Sequence, residues 1–252
     1  MPTTIILHGC NGRMGRVITD LAAADPAVSI VAGVDAVDTG QSPFPIFKAI
    51  SECDISADVV VDFSVAAAVP ALLDFCIKNK KALVLCTTGL SDAMLETLEM
   101  AAREIAILRS ANMSLGINLL LKMVKEAAKT LAPAGFDIEI VEKHHNQKLD
   151  APSGTAFALG DAVNESLGGG YAYIHDRSQT HAKRGDKEIG FAAVRGGSIT
   201  GEHDVIFAGP DEVITLSHSA YSRSVFAKGA VEAAKYLAAQ PPGLYTMADV
   251  IG

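Results

Sequence analysis

The chain has 252 residues, of which 49% are hydrophobic and 20% charged, enough apolar material to bury a sizeable core in one or two domains. A formal net charge of -8 opposes nonspecific nucleic-acid binding, which needs Lys and Arg to neutralise phosphates, and the abundance of Ala, Val, Ile and Gly argues against a disordered chain. No apolar run reaches the roughly 18 residues of a membrane-spanning helix, no basic signal region precedes the first strand, and the four Cys lack Cys-x-x-Cys spacing. We therefore expect a cytoplasmic protein with reduced thiols at Cys10, Cys53, Cys76 and Cys86, no membrane partner and no bound metal.

Taken in chain order, Thr3 to His8 reads as a strand, Gly9-Cys10-Asn11-Gly12-Arg13-Met14-Gly15 as a glycine turn, and the periodicity through Val17, Ile18 and Leu21 as a helix ending near Ala24. The Gly-x-x-Gly-x-x-Gly spacing departs from the strict dinucleotide fingerprint, but its place between strand and helix supports a phosphate-binding turn. Ser29 to Val34 is the next strand, and Asp35 follows it twenty residues beyond Gly15, where a carboxylate accepts hydrogen bonds from an adenosine ribose. Further alternation predicts strands at 58–62, 82–86 and 105–108 and helices at 66–78 and 92–103, hence parallel βαβ units. Phe63-Ser64 and Thr87-Thr88-Gly89 fall just past the strands, where such folds bind cofactors.

A long helix is expected from Leu115 to about Leu131, capped by Ser114 and ended by Pro133-Ala-Gly135. Three β-rich segments follow later, at 187–195, 198–208 and 212–220, separated by Gly196-Gly197 and Gly209-Pro210-Asp211. Gly168-Gly169-Gly170 and the polar stretch to Lys187 suggest a mobile loop, with Lys183-Arg184 as a solvated pair. Helical character resumes over 223–239 until Pro241-Pro242. The fold expected is α/β: a Rossmann-like nucleotide-binding domain, residues 1–111 with 222–252, plus a smaller α+β domain with a mixed sheet, residues 112–221.

The most informative stretch runs from Glu139 to Thr155, Glu-Ile-Val-Glu-Lys-His-His-Asn-Gln-Lys-Leu-Asp-Ala-Pro-Ser-Gly-Thr. Ile138, Ile140 and Val141, set between Asp137, Glu139 and Glu142, suit a half-buried strand ending near Lys143. Pro152 then fits the first turn of a helix, with Asp150 or Ser153 as its cap, and Gly154 and Thr155 present backbone N–H groups with no intrahelical partner, a helix start that attracts a carboxylate or phosphate. Two imidazoles, His144 and His145, and the Lys148 ammonium lie within five residues. They suit proton transfer near neutral pH beside an anionic substrate, as in reduction of an acidic imine or carbonyl.

This stretch resembles the signature of the 4-hydroxy-tetrahydrodipicolinate reductase family, the dihydrodipicolinate reductases of lysine and diaminopimelate biosynthesis. The glycine turn, Val61-Asp-Phe-Ser, Cys86-Thr-Thr-Gly, Ser110-Ala-Asn-Met-Ser and Ile189-Gly-Phe-Ala-Ala-Val-Arg-Gly-Gly are similar to the family's other landmarks, so the likeness covers nearly the whole chain. The resemblance implies NADH or NADPH as cofactor, a small heterocyclic dicarboxylate as substrate and a homotetramer formed through the second domain's sheet. It also implies His144 as general acid/base, Lys148 as proton donor facing a substrate carboxylate, and substrate contacts from His145, Ser153, Gly154 and Thr155. Cofactor contacts are implied at Cys86, Thr87, Thr88, Ser110, Ala111, Asn112 and Met113, beside the glycine turn and Asp35. Cys86 stands where Gly is commoner, Met113 where Phe is, and Ala36 where many relatives place Arg.

Three rivals are weaker. Another amino-acid pathway dehydrogenase would share the nucleotide half but lack His-His-x-x-Lys, and a catalytically silent NAD-binding sensor would bind cofactor without turnover. A hydrolase fits poorly, since His144 and His145 are adjacent rather than spaced on a helix face, His175, His181, His203 and His218 form no ligand pattern, and Pro152-Ser153-Gly154 is not a Gly-x-Ser-x-Gly elbow.

Overall fold

The computed structural model describes residues 1–38, 40–178 and 180–252. In chain order they form β1 (Thr3–His8), α1 (Arg13–Ala23), β2 (Val28–Val34), β3 (Ile46–Phe47), β4 (Val59–Asp62), α2 (Val69–Asn79), β5 (Ala82–Leu85), α3 (Asp92–Ala101), β6 (Ala106–Leu108) and α4 (Leu115–Leu131). Then follow β7 (Asp137–His144), α5 (Gly154–Ser166), β8 (Ala172–Ile174), β9 (Glu188–Arg195), β10 (Gly201–Ala208), β11 (Val213–Ala220), α6 (Ser224–Leu237), β12 (Gly243–Tyr245) and α7 (Met247–Ile251). Two compact units result, residues 1–115 with 224–252 and residues 116–223, a few residues from the boundaries read in the sequence.

In the first unit seven parallel strands lie in the order β12-β6-β5-β4-β1-β2-β3. Both faces are covered, which explains why the strands read as nearly unbroken apolar runs. Ile5, Leu7, Val59, Val61 and Val84 pack on one side with Ile18 of α1 and Ala227, Ala230 and Val231 of α6. Ile6, Val60, Leu83 and Leu85 pack on the other with Leu72 and Cys76 of α2 and Leu98 of α3. Local chemistry ends the helices where expected: the Ser91 side chain accepts the Met94 N–H to cap α3, and Lys80, at φ 51°, turns the chain after α2. The sequence reading had missed β3, β12 and α7, each five residues or fewer.

The second unit holds a mixed sheet in the order β11-β10-β7-β9-β8, with β10 antiparallel to both neighbours and β9 parallel to β7 and β8. Its inner face packs Ile138, Ile140, Phe191, Val205 and Phe207 against Leu120 and Val124 of α4 and Leu159 and Val163 of α5. Three expectations need correction here. Strand β8 lies within the stretch read as a mobile loop, of which Gln179 falls outside the described residues. Arg184 is not a solvated charge: its guanidinium meets Asp137 at 2.8 Å and Glu139 at 3.1 Å and donates to the carbonyls of Ile138 and Glu188. The alternation of β7 is real, but Val141 shares the less buried face with Glu139, while Glu142 points inward with Ile138 and Ile140.

Two expectations follow. In a helix Gly→Ala ordinarily adds about 1 kcal/mol, but a Cβ on Gly229 of α6 would collide with the Met113 carbonyl. Gly229→Ala should therefore lose about 1–3 kcal/mol in urea unfolding. His203 of β10 is 4% exposed. Burial, reinforced by nearby His144, pushes its pKa from 6.5 down to about 4, so within that window the unfolded chain binds the extra proton and stability falls as pH drops. His203→Gln should flatten the fall by about 2–3 kcal/mol, read from urea midpoints on either side of the window.

Candidate active site

The glycine turn of the first unit is built by close backbone approach. Gly9 adopts φ +80°, and a Cβ there would meet the Phe63 carbonyl oxygen at 2.6 Å. A Cβ on Gly15 would collide with the carbonyls of Gly9 and Cys10, so α1 packs onto the turn only with glycine there. The Gly9 N–H donates to Val34 O at 2.8 Å, and the Asp35 carboxylate accepts the Asn11 N–H at 2.9 Å, fastening turn to strand end. Beside them lies a cavity of about 380 Å³ lined by Gly9, Gly12, Asp35, Lys48, Phe63 and Ser64, among others. Gly9, Gly12 and Asp35 thus share one cavity with Phe63 and Ser64; Lys48, whose position after β3 carried no motif, was not foreseen. The turn, the carboxylate and the cavity at a parallel sheet's strand ends fit a dinucleotide.

The remaining first-unit positions have distinct environments. Arg13 and Gly12 are exposed, and Asn11 and Met14 half-buried. The Cys10 thiol is buried against Gly33, and burial together with Asp35 pushes its pKa to about 11, so it offers no thiolate. Burial raises the Cys86 thiol in the same way. Thr87 donates its hydroxyl to Asp62 at 2.6 Å, and Thr88 is exposed. Ser110, Ala111 and Asn112 follow β6, with Asn112 Oδ1 accepting the Ser114 N–H at 2.9 Å, whereas the Met113 side chain packs into the core.

In the second unit the functional candidates converge on Glu142, which is 1% exposed. His144 Nδ1 lies 2.6 Å from Glu142 Oε2, and the Ser153 N–H donates to Glu142 Oε1 at 3.1 Å. Arg195 of β9 completes the set with a fork, Nη1 to Oε2 and Nη2 to Oε1, both at 2.7 Å. Burial pushes the Glu142 carboxyl up, but the hydrogen bonds and charges of Arg195 and His144 outweigh it and hold the group below its ordinary value. A carboxylate only accepts hydrogen bonds, so His144 presents Nδ1–H to it and keeps Nε2 for other partners.

Ser153, not Asp150, caps α5: its Oγ accepts the Ala156 N–H at 3.1 Å and shares a 2.9 Å hydrogen bond with His203 Nε2. Pro152 therefore precedes the cap instead of sitting in the first turn, and the helix begins at Gly154 and Thr155. Rings of His144 and His203 meet edge to face, centroids 5.1 Å apart. Lys148 pairs with Asp150 at 2.8 Å, which holds the Asp150 carboxyl low, and His145 is half-buried. The structure thus gathers His144, Ser153 and the start of α5 around one carboxylate, with Lys148 in the intervening loop. Glu142, Arg195 and His203 were missed as site residues, though Glu142 stands two residues before His144, the spacing that puts both on one face of a strand.

Among the described residues no helix is long and apolar enough to cross a membrane, and no group of three or more His, Cys, Asp or Glu is arranged to hold a metal. All four cysteines are free.

Comparison with known proteins matches residues 3–113 to the family described as dihydrodipicolinate reductase, N-terminus, and residues 116–251 to dihydrodipicolinate reductase, C-terminus. The chain is 55% identical over 251 residues to the 4-hydroxy-tetrahydrodipicolinate reductase of Caldanaerobacter subterraneus subsp. tengcongensis, covering 100% of this chain and 99% of the relative. It is 48% identical over 249 residues to that of Clostridium botulinum, covering 98% of each. Among solved structures, a dipicolinate-bound dihydrodipicolinate reductase from Paenisporosarcina sp. TG-14 superposes with a TM-score of 0.80 at 23% identity, covering 98% of both chains, which shows the shared fold. Two domain matches that together span the chain, and relatives of equal length at about half identity, lead to one conclusion: the chain belongs to the dihydrodipicolinate reductase family.

Proposed function

We propose that the protein is an NAD(P)H-dependent 4-hydroxy-tetrahydrodipicolinate reductase acting in lysine and diaminopimelate biosynthesis. The observation that carries this is the joining of His144, the Lys148 loop and the start of α5 around the Glu142–Arg195 pair. The substrate is a small heterocyclic dicarboxylate, the dehydrated form of 4-hydroxy-tetrahydrodipicolinate. One carboxylate is held by the Gly154 and Thr155 N–H groups, the Thr155 hydroxyl and Ser153, and the other faces Lys148 and His145. Reduced nicotinamide, bound by the first unit, supplies a hydride to C4 of the ring's conjugated imine. The resulting enamine takes a proton, with Lys148 as donor and His144 Nε2 as the acid/base that restores it.

Cofactor contacts are assigned to Gly9 through Met14, Asp35, Cys86, Thr87, Thr88 and Ser110 through Met113, with the Met113 contribution coming from its backbone. Asp35 favours NADH, because its charge opposes a ribose 2′-phosphate, while Lys48 in the same cavity offers a compensating cation, so both cofactors are used. The same reading makes the protein a cytoplasmic homotetramer with no nucleic-acid or membrane partner; exposed Val194 and Val213 on the mixed sheet are apolar surface suited to subunit contact.

The test is consumption of NADH and NADPH, separately, with the aldol product of pyruvate and aspartate semialdehyde. Binding of NADH without turnover would favour the silent sensor. His144→Ala and Lys148→Ala should each lower kcat by about 100-fold or more and leave the NADH Kd within about twofold. Wild-type turnover in both would refute the roles. Asp35→Asn, which keeps an acceptor oxygen and removes the charge, should raise the NADPH-to-NADH ratio of kcat/KM by about tenfold, and an unchanged ratio would remove Asp35 from cofactor selection.

A further inference from the structure

We propose that Glu142 and Arg195 are positioning residues for the reduction: the clamped Glu142 carboxylate holds His144 in its Nδ1–H tautomer and, together with Arg195, ties the 145–152 loop and the start of α5 to the sheet. This rests on reading His144 as the acid/base. Four observations converge on it. The carboxylate is out of water and both of its oxygens are engaged, Oε2 by His144 and Oε1 by the Ser153 N–H, with one arm of the Arg195 fork on each. Arg195 Nη2 also donates to the Asp150 carbonyl at 2.6 Å, so the same guanidinium anchors the far end of the loop that carries Lys148. Arg195 Nη1 in turn bonds the Val194 carbonyl at 2.8 Å, fixing the fork on β9.

The fourth observation concerns the opposite edge of the imidazole. A Cβ on Gly201 of β10 would lie 3.1 Å from His144 Nε2, so the neighbouring strand leaves that nitrogen uncrowded only because glycine is there. The groups facing the cluster are Arg195 from β9, His203 from β10, His218 from β11, the Ser153 cap of α5, and Lys148 and Asp150 from the loop. Among the described residues, only Arg195 and His144 approach the Glu142 oxygens with side-chain donors. One ionised pair, Glu142 with Arg195, therefore sets the tautomer of the ring, the pose of the loop and the entry of the helix at once. A carboxylate serves where an amide would not, because it accepts from every side and presents no donor that would turn the imidazole over.

The experiment uses the full-length enzyme with 15N-labelled histidine, the His144 resonances being assigned against His144→Asn. With its imidazole neutral, wild-type His144 should carry its proton on Nδ1. Glu142→Gln, which preserves shape, should shift the proton toward Nε2 and lower kcat by about 10- to 100-fold, with a smaller change in substrate KM and an NADH Kd within about twofold of wild type. Arg195→Lys keeps the charge but loses the fork and the Asp150 bond, and should fall between the two in both readouts. Should Glu142→Gln fail to fold, Arg195→Lys decides alone. An unaltered tautomer and a kcat within about twofold in the folded variants would overturn the proposal. A displaced proton with unchanged kcat would instead confirm the hold on the ring and overturn the acid/base reading beneath it.

Discussion

Each unit of this protein is organised around a carboxylate taken out of water near the end of a central strand, and a buried charge of that kind dictates much of what surrounds it. Asp62, 0% exposed at the end of β4, accepts from the Thr87 hydroxyl and the Ser64 N–H, and His8 Nδ1 approaches to 2.8 Å without hydrogen-bond geometry. Glu142 in β7 is met by Arg195, His144 and the Ser153 N–H. Breaking a buried ion pair such as Glu142–Arg195 by removing one partner typically costs about 3–5 kcal/mol, because the remaining charge has no water to turn to. The two sites differ in how their oxygens are satisfied. Asp62 is surrounded by short-range donors from adjacent strand ends, whereas Glu142 draws a full guanidinium from β9, so the second unit's sheet order is itself part of the electrostatic solution.

Much of this was legible in the sequence, and what was not has physical reasons. Strands of the first unit stood out because both faces of a parallel sheet are covered, making Ile5-Ile6-Leu7 and Val59-Val60-Val61 continuous apolar runs. The glycine turn, Asp35 and the start of α5 were marked by residues with special backbone or capping chemistry. Elements of two to five residues, such as β3 and α7, left no periodicity to read. Arg184 and Arg195 were invisible for another reason: their partners lie 47 and 53 residues away in sequence, so nothing local distinguishes them from surface charges. Glu142 fell among the polar positions of the strand because it is charged, and alternation alone cannot say which face of a strand is the inner one when Val141 competes for it. Pro152 was misplaced by two positions because a proline before the cap and a proline in the first turn share the same restricted φ.

The inward face of β7 carries Ile138, Ile140, Glu142 and His144 in succession, so the hydrophobic core and the reactive cluster are consecutive rungs of one ladder. Parity along that ladder is therefore a functional quantity. Adding one residue between 138 and 144 would bring Lys143 to the imidazole's position and deleting one would bring His145 there, and either change turns the His144 ring to the opposite side, although composition would scarcely change. Tolerance to length change in this strand should come in steps of two, whereas the loop beyond it has no such counting rule. The chemistry is thus keyed to the pleat of the backbone as much as to the identity of the side chains it displays.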